Sequence, residues 1–226
     1  MKNNVVEATF TDSKTEKYYA WRASNYEALS HWETEPHEEA VRLAGAREGQ
    51  SVLVAACGTG RGMDGLAKAV GPKGRIEAMD LSSAMIEQAR AKMEKMGLSD
   101  RVHFRQGNVR SLPYPDESFD IVYNGYMFDL IEKKGFVPIL EEMRRVLRPG
   151  GKLVLLNMSK PDGRKTFFER IYRFTGIPCR PVLMAPYLES LGFSDVQRRY
   201  KPVPARSFYE KLVGLLWGQE IVTARR

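Results

Sequence analysis

Short apolar runs alternate with amphipathic stripes along most of this chain. Ser51–Ala56 (SVLVAA) follows a Glu48-Gly49-Gln50 turn and precedes a glycine cluster. A run of that length between turn signals predicts a strand buried on both faces, the kind found in parallel sheets. Arg75–Met79 and Val102–Gln106 predict two more strands, Phe119–Tyr123 a fourth and Lys152–Asn157 (KLVLLN) a fifth.

Between them the period changes to 3.6. A helix is expected from the glycine cluster to about Val70, where Gly71-Pro72-Lys73-Gly74 breaks it. Ser82 or Ser83 can cap the next helix, whose stripe is Met85, Ile86, Ala89, Met93 and Met96,. Phe136, Ile139, Leu140, Met143, Val146 and Leu147 form another, ended by Arg148-Pro149-Gly150-Gly151 because the residue before proline is pushed out of the helical region,. The first 45 residues read as helical, with no glycine before Gly45 and with Pro36 in the first turn of a helix running to about Ala44,. Strand and helix alternating through short connections predict an open α/β sheet.

In such sheets ligands bind beyond the carboxyl ends of the strands, near the point where strand order reverses. Gly58 and Gly60 leave the first strand, and a glycine backbone can approach a ligand with no Cβ in the way,. Asp80 ends the second strand and is placed to accept both hydroxyls of a ribose,. These features point to an adenosine-type ligand. Gly60-x-Gly62-x-x-Gly65 matches a dinucleotide fingerprint, but the strand exit is Gly58, and counted from there the third position is Met63,.

The residues now carry a resemblance. VLVAACGTGRG, MDLSSAMIEQAR, GNVRSLPYPDESFDIVYN and MRRVLRPGGKLVLLN resemble, in order and spacing, the motifs of class I S-adenosylmethionine-dependent methyltransferases over roughly residues 51–157. The resemblance implies a Rossmann-like doubly wound sheet of seven strands, mostly parallel with an antiparallel last strand, and an N-terminal helical cap. It implies one methyltransferase domain over 1–226, with a cap at 1–45, a cofactor-binding core at 46–160 and an acceptor-side part at 161–226. The implied cofactor is S-adenosyl-L-methionine. Ala56, Gly58 and Gly60 would line its methionine portion, Asp80 the ribose, and Leu81 and Met85 the adenine face. Asn108 and the Val109 backbone would read the adenine edge, and Asn124 would sit beneath the sulfonium. Val54 and Ala56 stand where the family often has Asp and Gly, so another group is expected to hold the methionine amino group. Tyr19, Arg22 and Tyr26, spaced along one helical face, would close the pocket and bind the cofactor carboxylate,. Tyr126, Asp129 and His31 are the candidates for a catalytic base.

Residues 177–200 resemble the ubiquinone/menaquinone-biosynthesis and phospholipid N-methyltransferase-like branch. That favours a small or lipid-like acceptor such as a quinol carbon, with a phospholipid or small amine as the alternative. Composition adds two points. Cys57, Cys179 and three dispersed histidines form no metal-binding pattern, and no apolar run reaches the roughly 18 residues of a spanning helix,. A cytoplasmic address is expected, since the first residues lack a signal-peptide pattern. The net charge of +7 sits in the last third, where residues 151–226 carry 14 basic and 6 acidic side chains. With the basic and aromatic stretch RKTFFERIYRF at 164–174, this suggests peripheral contact with an anionic membrane,. Nucleic-acid methylation or binding is a further alternative, disfavoured because the cofactor-binding part is nearly neutral.

Overall fold

The computed structural model describes residues 5–161, 169, 172, 174, 178–202 and 218–226. Three helices precede the sheet: α1 (Asp12–Arg22), α2 (Tyr26–Leu29) and α3 (Thr34–Ala44). There follow β1 (Ser51–Ala55), α4 (Met63–Val70), β2 (Arg75–Asp80), α5 (Ser83–Lys95), β3 (Val102–Gln106) and β4 (Phe119–Gly125). The rest is α6 (Phe136–Val146), β5 (Leu147–Ser159), α7 (Ala185–Ser190), β6 (Ser194–Pro202) and β7 (Gly218–Arg225).

The strands form one seven-stranded sheet in the order β3-β2-β1-β4-β5-β7-β6. β1 pairs in parallel with β2 and β4, whereas β7 runs antiparallel between β5 and β6. Strand order therefore reverses between β1 and β4, and the glycine loop after β1 opens at that crevice.

The period-2 alternation of the strands divides the core. Val52, Val54, Ile76, Ala78 and Tyr123 face a layer built from α3, α4 and α5. Leu53, Ala55, Met79 and Val122 face the other way, onto α6 and α7. Ser82 caps α5, its hydroxyl accepting from the Met85 amide at 3.4 Å.

Two elements differ from the sequence reading. The N-terminal segment is not one continuous face, because the chain turns through a short 3-10 stretch at Ala23–Asn25 that separates α1 from α2. Strand β5 begins five residues earlier than expected, since Leu147 already pairs with Phe119 before a register shift brings Lys152 opposite Ile121. The helix ends at Val146, and Pro149-Gly150 lies within the irregular start of the strand.

The basic excess of the last third also changes meaning. All eight described cations there have partners inside the chain. Arg180 is fully buried and donates to the carbonyls of Val6, Asp129 and Ile131 at 2.7, 2.8 and 2.5 Å. Lys160 pairs with Glu169 at 2.5 Å, and Arg198 pairs with Glu220 at 2.6 Å. Arg199 and Lys201 meet Glu39, Arg225 meets Asp195, Arg226 meets Glu117, and Lys152 donates to the Leu43 carbonyl. The other six cations, and most of the 164–174 stretch, lie outside the described residues. No helix among the described residues is long and apolar enough to cross a membrane.

Candidate active site

A cavity of about 1040 Å³, counting the open solvent at its mouth, lies at the reversal between β1 and β4. Asp80 stands at one end. Its Oδ2 accepts the Gly58 amide at 2.8 Å and its Oδ1 the Ser82 amide at 2.9 Å. Burial raises the carboxyl above its usual range while these amide bonds work to lower it,. The carboxylate is thus braced between the first loop and the start of α5.

The two glycines of the loop serve different ends. Gly58 (φ +53°) lines the cavity, and a Cβ added there would meet nothing within 4 Å. Its left-handed backbone is what requires glycine. At Gly60 (φ +80°) a Cβ would come within 3.2 Å of the Ala89 Cβ, so this glycine lets α5 approach and does not itself line the cavity.

Of the other expected cofactor residues, Ala56, Leu81, Met85, Asn108 and Val109 line the cavity. The Asn108 side chain already has partners: Oδ1 accepts from the Arg110 amide at 3.0 Å and Nδ2 donates to Asp12 at 3.3 Å. Asn124 is fully buried outside the lining, with Nδ2 donating to the Ala55 carbonyl at 2.6 Å and Oδ1 without a partner.

From the cap, Tyr19 and Tyr26 reach the cavity with ring centroids 5.7 Å apart, although they sit on separate helices. Arg22 does not reach it: its guanidinium donates to the Tyr18 hydroxyl at 3.0 Å and lies over that ring.

The base candidates separate as well. Tyr126, with φ +54°, forms part of the wall against Trp32, and its buried hydroxyl has no partner. Asp129 is buried beside the cavity and outside its lining, and burial pushes its carboxyl up to about 7. His31 is exposed and outside the lining. The cap histidine that does line the cavity is His37, whose Nδ1 lies 2.6 Å from the Tyr123 hydroxyl.

Sequence reasoning missed His37, and also Glu33 and Arg61. Glu33 is buried, receives the Tyr26 hydroxyl across both its oxygens at 3.1 and 3.2 Å, and is pushed up to about 8 by burial. Arg61 leaves the glycine loop to donate to Thr34 Oγ1 at 2.6 Å and Ser30 Oγ at 3.0 Å, pinning the cap to the loop. A signal for His37 existed: it shares the stripe of Ala40, Val41 and Ala44, so it is a polar residue on a buried helical face.

Comparison with known proteins places the chain in a family. The family model described as a methyltransferase domain matches residues 52–151. The ubiquinone/menaquinone biosynthesis C-methyltransferase UbiE of Hahella chejuensis is 35% identical over 165 residues, covering 72% of this chain and 65% of that protein. The demethylmenaquinone methyltransferase of Geobacillus kaustophilus is 33% identical over 171 residues, covering 75% of this chain and 70% of its own length. Among solved structures, the cyclase SpnF is 19% identical with a TM-score of 0.77, covering 100% of this chain and 99% of its own. That last likeness concerns the fold alone. The chain belongs to the class I S-adenosylmethionine-dependent methyltransferases.

Proposed function

We propose that this protein transfers a methyl group from S-adenosyl-L-methionine to a small-molecule acceptor, a carbon of quinol type. The observation that carries the cofactor reading is Asp80. It is a carboxylate held by two amides at the rim of the cavity, on the strand end where a ribose diol would lie,. The relatives named as quinone-pathway methyltransferases support the acceptor class.

The chain's own residues fit this division of labour. Leu81, Met85 and Val109 offer apolar contact to a nucleoside base, and the open Gly58 backbone admits the amino-acid portion beside it. The cofactor, when bound, supplies an electrophilic methyl on a sulfonium. Tyr19, Tyr26, Tyr126, Met127, Leu130 and Ile131 also line the cavity and would exclude water from the reacting atoms,.

Calorimetry with S-adenosylhomocysteine tests the cofactor reading. The wild type should bind, and Asp80→Ala should weaken binding at least about tenfold, in line with loss of charge-assisted bonds. Equal affinity in both would overturn the site. Methylation of a short-chain naphthoquinol, set against a phosphoethanolamine substrate, tests the acceptor class.

A further inference from the structure

The geometry points to His37 as a hydrogen-bond donor to a ligand oxygen in this cavity, with Nε2 carrying the proton because Tyr123 fixes the tautomer. The argument begins with a buried phenol. Tyr123 sits on β4 and is 1% exposed, and among the described residues its hydroxyl has one hydrogen-bond partner, His37 Nδ1 at 2.6 Å. Were Nδ1 to donate, the phenol proton would be left with no acceptor among the described residues, a costly arrangement,. If the phenol donates instead, Nδ1 accepts and the ring proton must reside on Nε2. Among the described residues Nε2 has no hydrogen-bond partner, and His37 is part of the cavity lining.

The position is built, because His37 occupies space that two glycines leave open. A Cβ on Gly125 would lie 2.5 Å from His37 Cε1, and a Cβ on Gly62 would lie 3.4 Å from Nδ1. The ring therefore rests on the backbone that follows β4 and beside the start of α4. The Tyr126 ring stands against it, centroids 5.5 Å apart, with its own hydroxyl unpartnered. Burial, with Arg61 and Lys92 adding like charge, keeps the imidazole neutral by lowering it to about 3. A neutral imidazole locked as a donor cannot remove a proton at Nε2. It can bind a carbonyl, carboxylate or phenolate oxygen, and in a site walled from water such a bond favours the anionic form.

Two sources present that chemistry: the carboxylate of the cofactor's methionine portion, and an oxygen of the acceptor ring. The ligand assignment rests on the methyl-transfer reading, whereas the tautomer does not. The test is ¹⁵N NMR of histidine-labelled protein, titrated first with S-adenosylhomocysteine and then with 1-naphthol. Nε2 should be protonated in the free protein, and Tyr123→Phe should release that preference. A shift of the Nε2–H signal on the first addition assigns the oxygen to the cofactor, and a shift confined to the second assigns it to the acceptor. His37→Leu should then weaken the responsible ligand about threefold to tenfold, with His37→Gln retaining more because it keeps an N–H. A proton on Nδ1, an imidazolium at neutral pH, or no response to either ligand overturns the inference. Failure to bind S-adenosylhomocysteine in calorimetry would overturn the methyl-transfer reading and leave the tautomer result standing.

Discussion

Asp12 and Arg110, 98 positions apart, form a two-bond clasp, Nε to Oδ2 at 2.9 Å and Nη2 to Oδ1 at 3.0 Å. One belongs to the first turn of α1 and the other to the loop after β3. The pair ties the cap helix to the loop after β3 beside the cavity, and Asn108 joins it through Asp12. The guanidinium holds the Asp12 carboxyl below its usual range.

Breaking that clasp should affect binding more than folding. Both side chains are about a third exposed, so the pair contributes at most about 1 kcal/mol to stability,. Arg110→Ala is expected to lower the melting temperature little and to weaken S-adenosylhomocysteine severalfold by freeing α1. Because the Asp12 carboxyl is depressed, the clasp persists through the ordinary carboxylate range and is lost only as pH falls through the lowered value,. Hydrogen exchange over residues 12–22 at neutral and acidic pH measures this directly.

Glu33 predicts the opposite slope. Its carboxyl is raised from 4.5 to about 8, so the folded state holds a proton that the unfolded chain releases. Stability should fall as pH rises from about 4.5 to about 8, by up to about 1.4 kcal/mol per pH unit,. Glu33→Gln removes that dependence. Thermal melts across this range should show the variant gaining on the wild type as pH increases, and parallel curves would refute the assignment.

Gly125 and His37 should be coupled. Gly125→Ala forces a Cβ against the imidazole and is expected to cost about 1–3 kcal/mol,. Adding His37→Ala removes the clash, so the double variant should lose less than the sum of the two single changes. Additive losses in denaturant unfolding would place the strain elsewhere.

Arg180 is expected to be among the most sensitive positions for stability. Its guanidinium is buried and bonded to three backbone carbonyls that join the N-terminal segment, the loop after β4 and the C-terminal part. Arg180→Met should leave those acceptors unsatisfied and destabilise the protein by about 3 kcal/mol or more. Chemical unfolding provides the measurement. A variant as stable as the wild type would mean that water replaces the guanidinium.

Much of the frame was legible in the chain. The strand at Val102–Gln106 falls where the sequence put it, and the Ser82 cap is the bond its position predicted. Gly58 and Asp80 were readable as a pair, because a glycine at a strand exit and an acid at the next strand's end are local features. Gly60 was readable as glycine and not by its purpose, which depends on how closely α5 comes.

The sequence by itself determined the alternation of strands and helices, the family motifs and the glycine and acid at the ends of β1 and β2. These follow from local period, turn chemistry and short spacing. Tertiary structure decided which cap residues meet the cavity. It chose His37 over His31 and turned Arg22 toward Tyr18. It also gave the described C-terminal cations partners inside the protein, Glu39 and Glu220 among them. Those outcomes depend on contacts between residues far apart in the chain, and on buried polar groups finding the partners that folding leaves within reach. No local pattern encodes them, because the cost of an unpaired buried group is set by the whole fold.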